Sequence, residues 1–328
     1  MPLFSCYNPP AMNFLITGAA GFLGSALANR LAREGNQVRG LDDLSTGDPR
    51  ALSPDILFTR GDVNDRPKLW TLLQDVDCVY HLAARVVVAE SVLYPREYNA
   101  VNVGGTVSLM EAMRDVGVAR VVLISSGAIY GDQGSQPLRE DAIPDPRSPY
   151  AVSKLCAEYY VRTIGDLWNI ESVALRVFNA YGPGQHLPPS HPPVIPNFLR
   201  QAVRGGTLVV HGEGNQTRDY VFVDDVVSAM VAAATSPGIN HLNINVGNGA
   251  ETSVRELANL VIQVTGSGAE IIFNPHTTPG VSRMCADLGL AREKLGYQPR
   301  VSLAEGLRLT LEKDSRFRDE ATRPLRKT

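Results

Sequence analysis

An apolar run at Asn13–Thr17 ends directly in Gly18, and glycines recur at 21 and 24 where a helical pattern begins. That order suits a strand turning sharply into a helix, because glycine tolerates the tight turn and lets the helix press against the strand end. Backbone amides at such a helix start can receive a pyrophosphate. Further apolar runs follow at Gln37–Leu41, Ile56–Arg60, Cys78–Leu82, Val121–Ser125 and Ser172–Phe178, separated by helical stretches beginning near Gly21, Asp65, Ala100 and Tyr150. The runs are continuous rather than alternating, as expected of strands covered by helices on both faces. The pattern predicts an α/β fold built on a doubly wound parallel sheet.

After Asn179 the character changes. Pro183, Pro188, Pro189, Pro192, Pro193 and Pro196 crowd a short stretch, which reads as a loop into a second lobe. Helical patterns at Val194–Arg204, Asp224–Thr235, Ser253–Thr265 and Ser302–Glu312 alternate with short apolar runs at Leu208–His211, His241–Val246 and Ile271–Phe273. A smaller mixed α/β substrate lobe is expected from 181–216 and 248–312, with 12–180 forming the first domain and the chain returning to it near 217–247. Residues 1–11 read as a disordered extension without the basic start or apolar run of a secretory signal, and 313–328 as a frayed, charged tail.

The 328 residues are 44% hydrophobic and 20% charged, with a formal net charge of −3. No membrane partner is called for, and the scattered Lys and Arg offer no basic face to a nucleic acid. Cys6, Cys78, Cys156 and Cys285 lack metal or redox spacing, pointing to a reducing, cytoplasmic setting. His186, His191, His211, His241 and His276 lie on unrelated segments, so no metal is expected. No Gly-x-Ser-x-Gly run supports a serine hydrolase.

Asp42 ends the second strand, 18 residues beyond Gly24, where a carboxylate can accept hydrogen bonds from the adenosine ribose. Asp43 beside it would repel a 2′-phosphate, so NAD is expected over NADP. Asp62, after the third strand, is the softer candidate for the adenine amino group. In Tyr150-Ala-Val-Ser-Lys154 the Tyr and Lys are four apart and share a helix face. The ammonium can therefore sit under the phenol and lower its pKa, making it a base for an alcohol proton, with Ser126 holding the same oxygen.

These residues resemble the extended short-chain dehydrogenase/reductases, and within them the nucleotide-sugar epimerases and dehydratases. The resemblance also rests on His81-Leu82-Ala83-Ala84, Asn102-Val103-Gly104-Gly105-Thr106, Leu175-Arg176-Val177-Phe178-Asn179 and Arg218-Asp219-Tyr220-Val221. It implies a Rossmann domain that binds NAD, a lobe that grips a nucleotide diphosphate, and catalytic Ser126, Tyr150 and Lys154. Phe22, Leu23, Val63, Leu82, Ala83, Ala84 and Asn102 would join Gly18, Gly21, Gly24, Asp42, Asp43, Asp62, Tyr150 and Lys154 at the cofactor. Ser126, Tyr150, Asn179, Arg218 and Met284 would meet the substrate, Arg218 as diphosphate clamp and Met284 beside the sugar's C2 substituent.

Dehydratases of this kind carry Asp-Glu after the catalytic hydroxyl, whereas Gly127 and Ala128 stand here. The resemblance therefore narrows to 4-epimerases, with UDP-glucose and UDP-galactose as the expected pair. Reduction of a 4-keto nucleotide sugar, or a catalytically silent NAD-binding regulator, are the alternatives. A second phosphate-binding arginine is missing from its usual place in Thr278-Pro279-Gly280-Val281, with Arg283 as a substitute. A stripe of Val103, Val107, Met110 and Met113 with Leu155, Tyr159 and Arg162 is either core or half of a dimer's helix bundle, and the resemblance favours a homodimer.

Overall fold

The computed structural model describes residues 11–275 and 280–321, with side chains as far as Arg318. Residues 1–10, 276–279 and the tail from 322 lie outside the described residues, His276, Thr278 and Pro279 among them. The chain opens with β1 (Asn13–Thr17), α1 (Phe22–Arg33), β2 (Gln37–Asp42), β3 (Leu57–Arg60), α2 (Arg66–Leu72) and β4 (Cys78–His81). There follow α3 (Val88–Leu93), α4 (Pro95–Tyr98), α5 (Gly105–Val116), β5 (Arg120–Ser126), α6 (Pro149–Trp168), β6 (Glu171–Val177) and β7 (Asn179–Tyr181). The remainder comprises α7 (Val194–Val203), β8 (Leu208–His211), β9 (Thr217–Arg218), β10 (Tyr220–Phe222), α8 (Val223–Thr235), β11 (Asn243–Val246) and β12 (Thr252–Ser253). It ends with α9 (Val254–Thr265), β13 (Ile271–Asn274), α10 (Gly289–Leu295), α11 (Leu303–Lys313) and α12 (Ser315–Ala321).

Seven strands pair in parallel in the order β3-β2-β1-β4-β5-β6-β11. Successive side chains serve opposite faces. Phe14, Ile16, Tyr80, Val122 and Ile124 join the core under α1 and α8, while Leu15, Val79, Val121 and Leu123 join the one under α2, α5 and α6. The strand order reverses between β1 and β4, which opens a crevice at the carboxyl ends of those strands. α6 starts where the Ser148 hydroxyl accepts from the Ala151 amide at 3.1 Å, with Pro149 at its first position, and stops at left-handed Asn169.

The later elements form small pairs, β7 with β10, β9 with β12 and β8 with β13, packed under α7, α9, α11 and α12. Their apolar residues, among them Phe198, Leu257, Leu307 and Phe317, continue the α1–α8 core without a break. Two expectations are corrected. The helix expected from Ala100 begins earlier, since α4 runs through a π-helical stretch at Asn99–Gly104 into α5. The charged tail expected from Lys313 is helical to Ala321, because Phe317 is buried and the Asp314 carboxylate accepts from the Gly184 amide at 2.9 Å. Among the described residues no helix is long and apolar enough to cross a membrane.

Because Phe317 fills core space beneath α7, Phe317→Ala should cost about 3–5 kcal/mol of stability in denaturant unfolding. A loss below about 1 kcal/mol would return α12 to the status of a frayed end.

Candidate active site

The turn from β1 into α1 is crowded. Gly18 has φ of 73°, and a Cβ there would lie 2.7 Å from the Ala83 amide nitrogen. A Cβ on Gly24 would lie 2.0 Å from the Gly18 carbonyl oxygen. Gly21 caps α1 without a side-chain hydrogen bond, and no acidic residue occupies the first turn, so the positive end of the helix faces outward. It faces a cleft walled on this side by Gly18, Gly21, Phe22, Leu23 and Gly24. Asp42, Asp43, Asp62 and Val63 form a second wall from the ends of β2 and β3. Leu82, Ala83 and Ala84 line it from the loop after β4, and Ser126, Tyr150 and Lys154 line it from β5 and α6 at the other end.

Asp42 is nearly buried, its carboxylate accepting from the Ala20 amide at 3.0 Å and the Leu44 amide at 2.8 Å. Burial outweighs those bonds and pushes its pKa upward. Asp43 and Asp62 are exposed and turn their carboxylates to the amides of Ser45 and Asn64. The cations among the cleft residues, Arg85 and Lys154, are not on the Asp42 wall. Arg39 is turned away, donating to the carbonyls of Leu72 and Gln74.

At the opposite end the Tyr150 phenol lies beside Ser126, whose hydroxyl accepts from the Ala128 amide at 3.2 Å. Burial raises the phenol's pKa, and the Ser126 hydroxyl offsets part of the rise. The expected pairing of ammonium with phenol is corrected here, because Lys154 Nζ donates to the Ile124 carbonyl at 2.8 Å. Burial lowers the Lys154 pKa to about 8, against the pull of Glu158 in the other direction. His81 is buried and held down to about 3, first by desolvation and then by Lys154. Its tautomer follows from its partners. Thr106 donates to the Asn102 carbonyl and so accepts from His81 Nε2, while Thr17 donates to Nδ1.

Asn102 does not line the cleft. Its amide donates to the Arg85 carbonyl at 3.0 Å and the Ser153 hydroxyl at 2.9 Å, and its oxygen accepts from the Arg85 amide, so it ties the loop after β4 to α6. Asn179, Arg218 and Met284 also lie off these walls. Asn179 is exposed on β7, and Met284 is buried in the core. The Arg218 guanidinium donates to the Thr217 carbonyl at 2.7 Å, and among the described residues no carboxylate pairs with it. Asp219 is engaged elsewhere, accepting from the amides of Asn248, Gly249 and Ala286. Arg283 is held by Glu251 through bonds of 3.0 and 2.6 Å, which occupies the group expected to replace the missing arginine.

Comparison with known proteins places this geometry. Residues 14–247 match the model of the NAD dependent epimerase/dehydratase family. The chain belongs to that family. It is 40% identical over 308 residues to a UDP-glucose 4-epimerase of Mycolicibacterium smegmatis, covering 92% of this chain and 98% of the relative. The structure of UDP-glucose 4-epimerase with UDP-glucose from Thermotoga maritima superposes with a TM-score of 0.89 at 35% identity, over 94% of this chain and 99% of that one. A UDP-N-acetylglucosamine 4-epimerase from Methanobrevibacter ruminantium, in complex with UDP-N-acetylmuramic acid, gives 0.88 at 30% identity, over 93% and 98%.

The cofactor of this epimerase/dehydratase family is NAD, and the residues present fit it. The uncapped start of α1 offers amides to a pyrophosphate, and the acidic, cation-free wall at Asp42 and Asp43 suits ribose hydroxyls and repels a 2′-phosphate. Sequence reasoning missed Ser45, Thr46, Arg85, Gln185 and His186, which also line the cleft. The Gly and Pro run around Gly182–Gly184 was the available signal for the last two. Among the described residues no cluster of His, Cys, Asp and Glu is arranged to hold a metal.

A lysine whose folded pKa is depressed is charged below that value and neutral above it. Turnover that uses the Lys154 charge should therefore fall as pH rises through about 8. A rate that stays level to pH 10 would show that this charge is not used.

Proposed function

We propose that this protein interconverts UDP-glucose and UDP-galactose by epimerising the sugar at C4. The observation that carries the reading is the Ser126–Tyr150 pair at the β5 end of a cleft whose β2 end suits NAD, with Gly127 and Ala128 beside it where a dehydratase has carboxylates. NAD, when bound, supplies the hydride acceptor and donor. Tyr150 takes the proton of the C4 hydroxyl and later returns one to the C4 oxygen, once the 4-keto sugar has turned its other face to the cofactor. Ser126 holds the same oxygen through both halves. No carboxylate stands next to Ser126 to eliminate water, so the chemistry stops at oxidation and reduction.

Arg218, half-buried and without a carboxylate partner, is assigned to the diphosphate, which it can bind bidentately. Asn179 is its companion from the neighbouring strand pair. Residues 12–180 with 217–247 carry the cofactor, and 181–216 with 248–312 carry the nucleotide sugar. We assign a homodimer through the outer face of α6, where Val152, Tyr159, Tyr160 and Leu167 are exposed. The described cysteines, Cys78, Cys156 and Cys285, are free, consistent with a cytoplasmic setting.

Incubating the purified protein with UDP-glucose, without added cofactor, should produce the galacto epimer in the anomeric NMR signals. Stoichiometric change at the nicotinamide absorbance band instead would favour the keto-sugar reductase. UDP-N-acetylglucosamine offered separately reports tolerance at C2. Tyr150→Phe should lower kcat by about 10²–10⁴ while NAD binding is retained. A variant with the parent rate would remove Tyr150 from the chemistry.

A further inference from the structure

Three successive residues of β5 face three positions of α6. Ser126 sits beside the Tyr150 phenol, the Ile124 carbonyl accepts from Lys154 Nζ, and the Ser125 hydroxyl donates to Glu158 Oε1 at 2.5 Å. The first two contacts belong to the reaction already described. The third continues away from the cleft. Glu158 is buried and paired with equally buried Arg176 of β6, through Nε at 3.1 Å and Nη2 at 2.9 Å. Arg176 in turn donates to the Tyr130 hydroxyl at 2.8 Å, and Tyr130 donates to Asn245 of β11 at 2.7 Å. Asn245 is fixed to the Leu138 carbonyl and the Glu140 carboxylate.

An ion pair this buried is costly to assemble, and similar pairs replaced by apolar residues often leave stability unchanged or improved. Stability is therefore a poor reason for Glu158 to be a carboxylate. Its place gives a better one, since it stands one helical turn from Lys154 on the same face of α6. We propose that Glu158 is a positioning residue for Tyr150 and Lys154. Pinned between Ser125 and Arg176, it fixes where α6 lies along the end of β5 and supplies the negative charge that the Lys154 ammonium faces inside the protein.

The other groups around Lys154 do not supply that charge. His81 from β4 is neutral at physiological pH, and the buried phenols of Tyr150, Tyr98 and Tyr130 have their pKa values raised. Glu90 of α3 is engaged by the Tyr98 hydroxyl and Arg85. The charged residues of α5, Glu111, Arg114 and Asp115, pair with one another or with Arg66. Arg176, from β6, has the same sign as Lys154. Its guanidinium is committed to Glu158, Tyr130 and the Glu140 carbonyl.

The proposal rests on the Tyr150–Lys154 chemistry above, yet it can be read without any substrate. The chain has five lysines, Lys68, Lys154, Lys294, Lys313 and Lys327, so protein labelled with carbon-13 at the lysine ε position gives few signals, and the one missing in Lys154→Met is Lys154. In NAD-loaded protein, Glu158→Gln should move the Lys154 titration down by about one unit. The alkaline limb of kcat should follow by the same amount, with KM for UDP-glucose within about two-fold. An unmoved Lys154 titration in the folded variant overturns the proposal. If Glu158→Gln fails to fold because Arg176 is stranded, Glu158→Gln combined with Arg176→Met removes both charges of that pair and is titrated instead, with the same two outcomes. Failure of the parent protein to turn over UDP-sugars would count against the proposed reaction and leave the lysine reading intact.

Discussion

No carbon fits between residue 24 and the carbonyl of Gly18. With 2.0 Å from that oxygen to the position of a Cβ, the first turn of α1 lies directly on the end of β1. The same turn is jammed against the start of the loop after β4, where the Ala83 amide comes within 2.7 Å of the Cβ that Gly18 lacks. The two loops that bound the crevice are thus set against each other by contact. His81 reinforces the arrangement by joining Thr17 at the end of β1 to Thr106 in α5. The position of the helix dipole, the lining at Leu82–Ala84 and the direction of the cleft all follow from that crowding.

The parts legible in the sequence were those whose chemistry is local. A glycine at a strand end, an acidic residue at the end of the next strand, and a Tyr and Lys one helical turn apart each declare themselves within a few positions. What escaped depends on distant partners. Gln185 and His186 reach the cleft because the loop after β7 is held by Asp314, through the Gly184 amide, and by Arg316, through the Gln185 carbonyl. Those partners lie in a segment whose charge density read as a frayed tail, and nothing near Asp314 in the sequence shows that Phe317 is buried. Asn102 shows the converse. Its motif is recognisable, but its amide is spent on Arg85 and Ser153, so a residue placed at the cofactor from resemblance instead holds the loop behind it. Arg283 sits near the expected place, yet Glu251, far away in sequence, claims it.

Charge is divided along the cleft. Asp42, Asp43 and Asp62 occupy one end, and Lys154 and Arg85 the other, with Arg85 held by Glu97 at 2.8 Å. An adenosine with free ribose hydroxyls suits the acidic wall, because hydroxyls donate to carboxylates and a phosphate does not. The phenol end carries no carboxylate beside Ser126, which leaves the hydroxyls of Ser126 and Tyr150 as the groups that can exchange a proton with a sugar there.

Burial gives Tyr150 a raised pKa, so at rest it is a phenol and a poor free base. A phenol that keeps its proton cannot accept another, so the form that takes the C4 proton is the phenolate, whose formation needs a positive charge or a hydrogen-bond donor beside its oxygen. The rate then depends on the placement of the phenol oxygen against the hydroxyl it serves, and a misplacement of about 1 Å can cost on the order of a hundred-fold. Placement is what the end of β5 controls. Ser126, Ile124 and Ser125 contact α6 at Tyr150, Lys154 and Glu158, and the last of these is anchored across β6 to β11. The catalytic helix is thereby tied to the sheet at Lys154 and Glu158, with Tyr150 beside Ser126, so that a shift of α6 along its axis must break the bonds to Ile124 and Ser125.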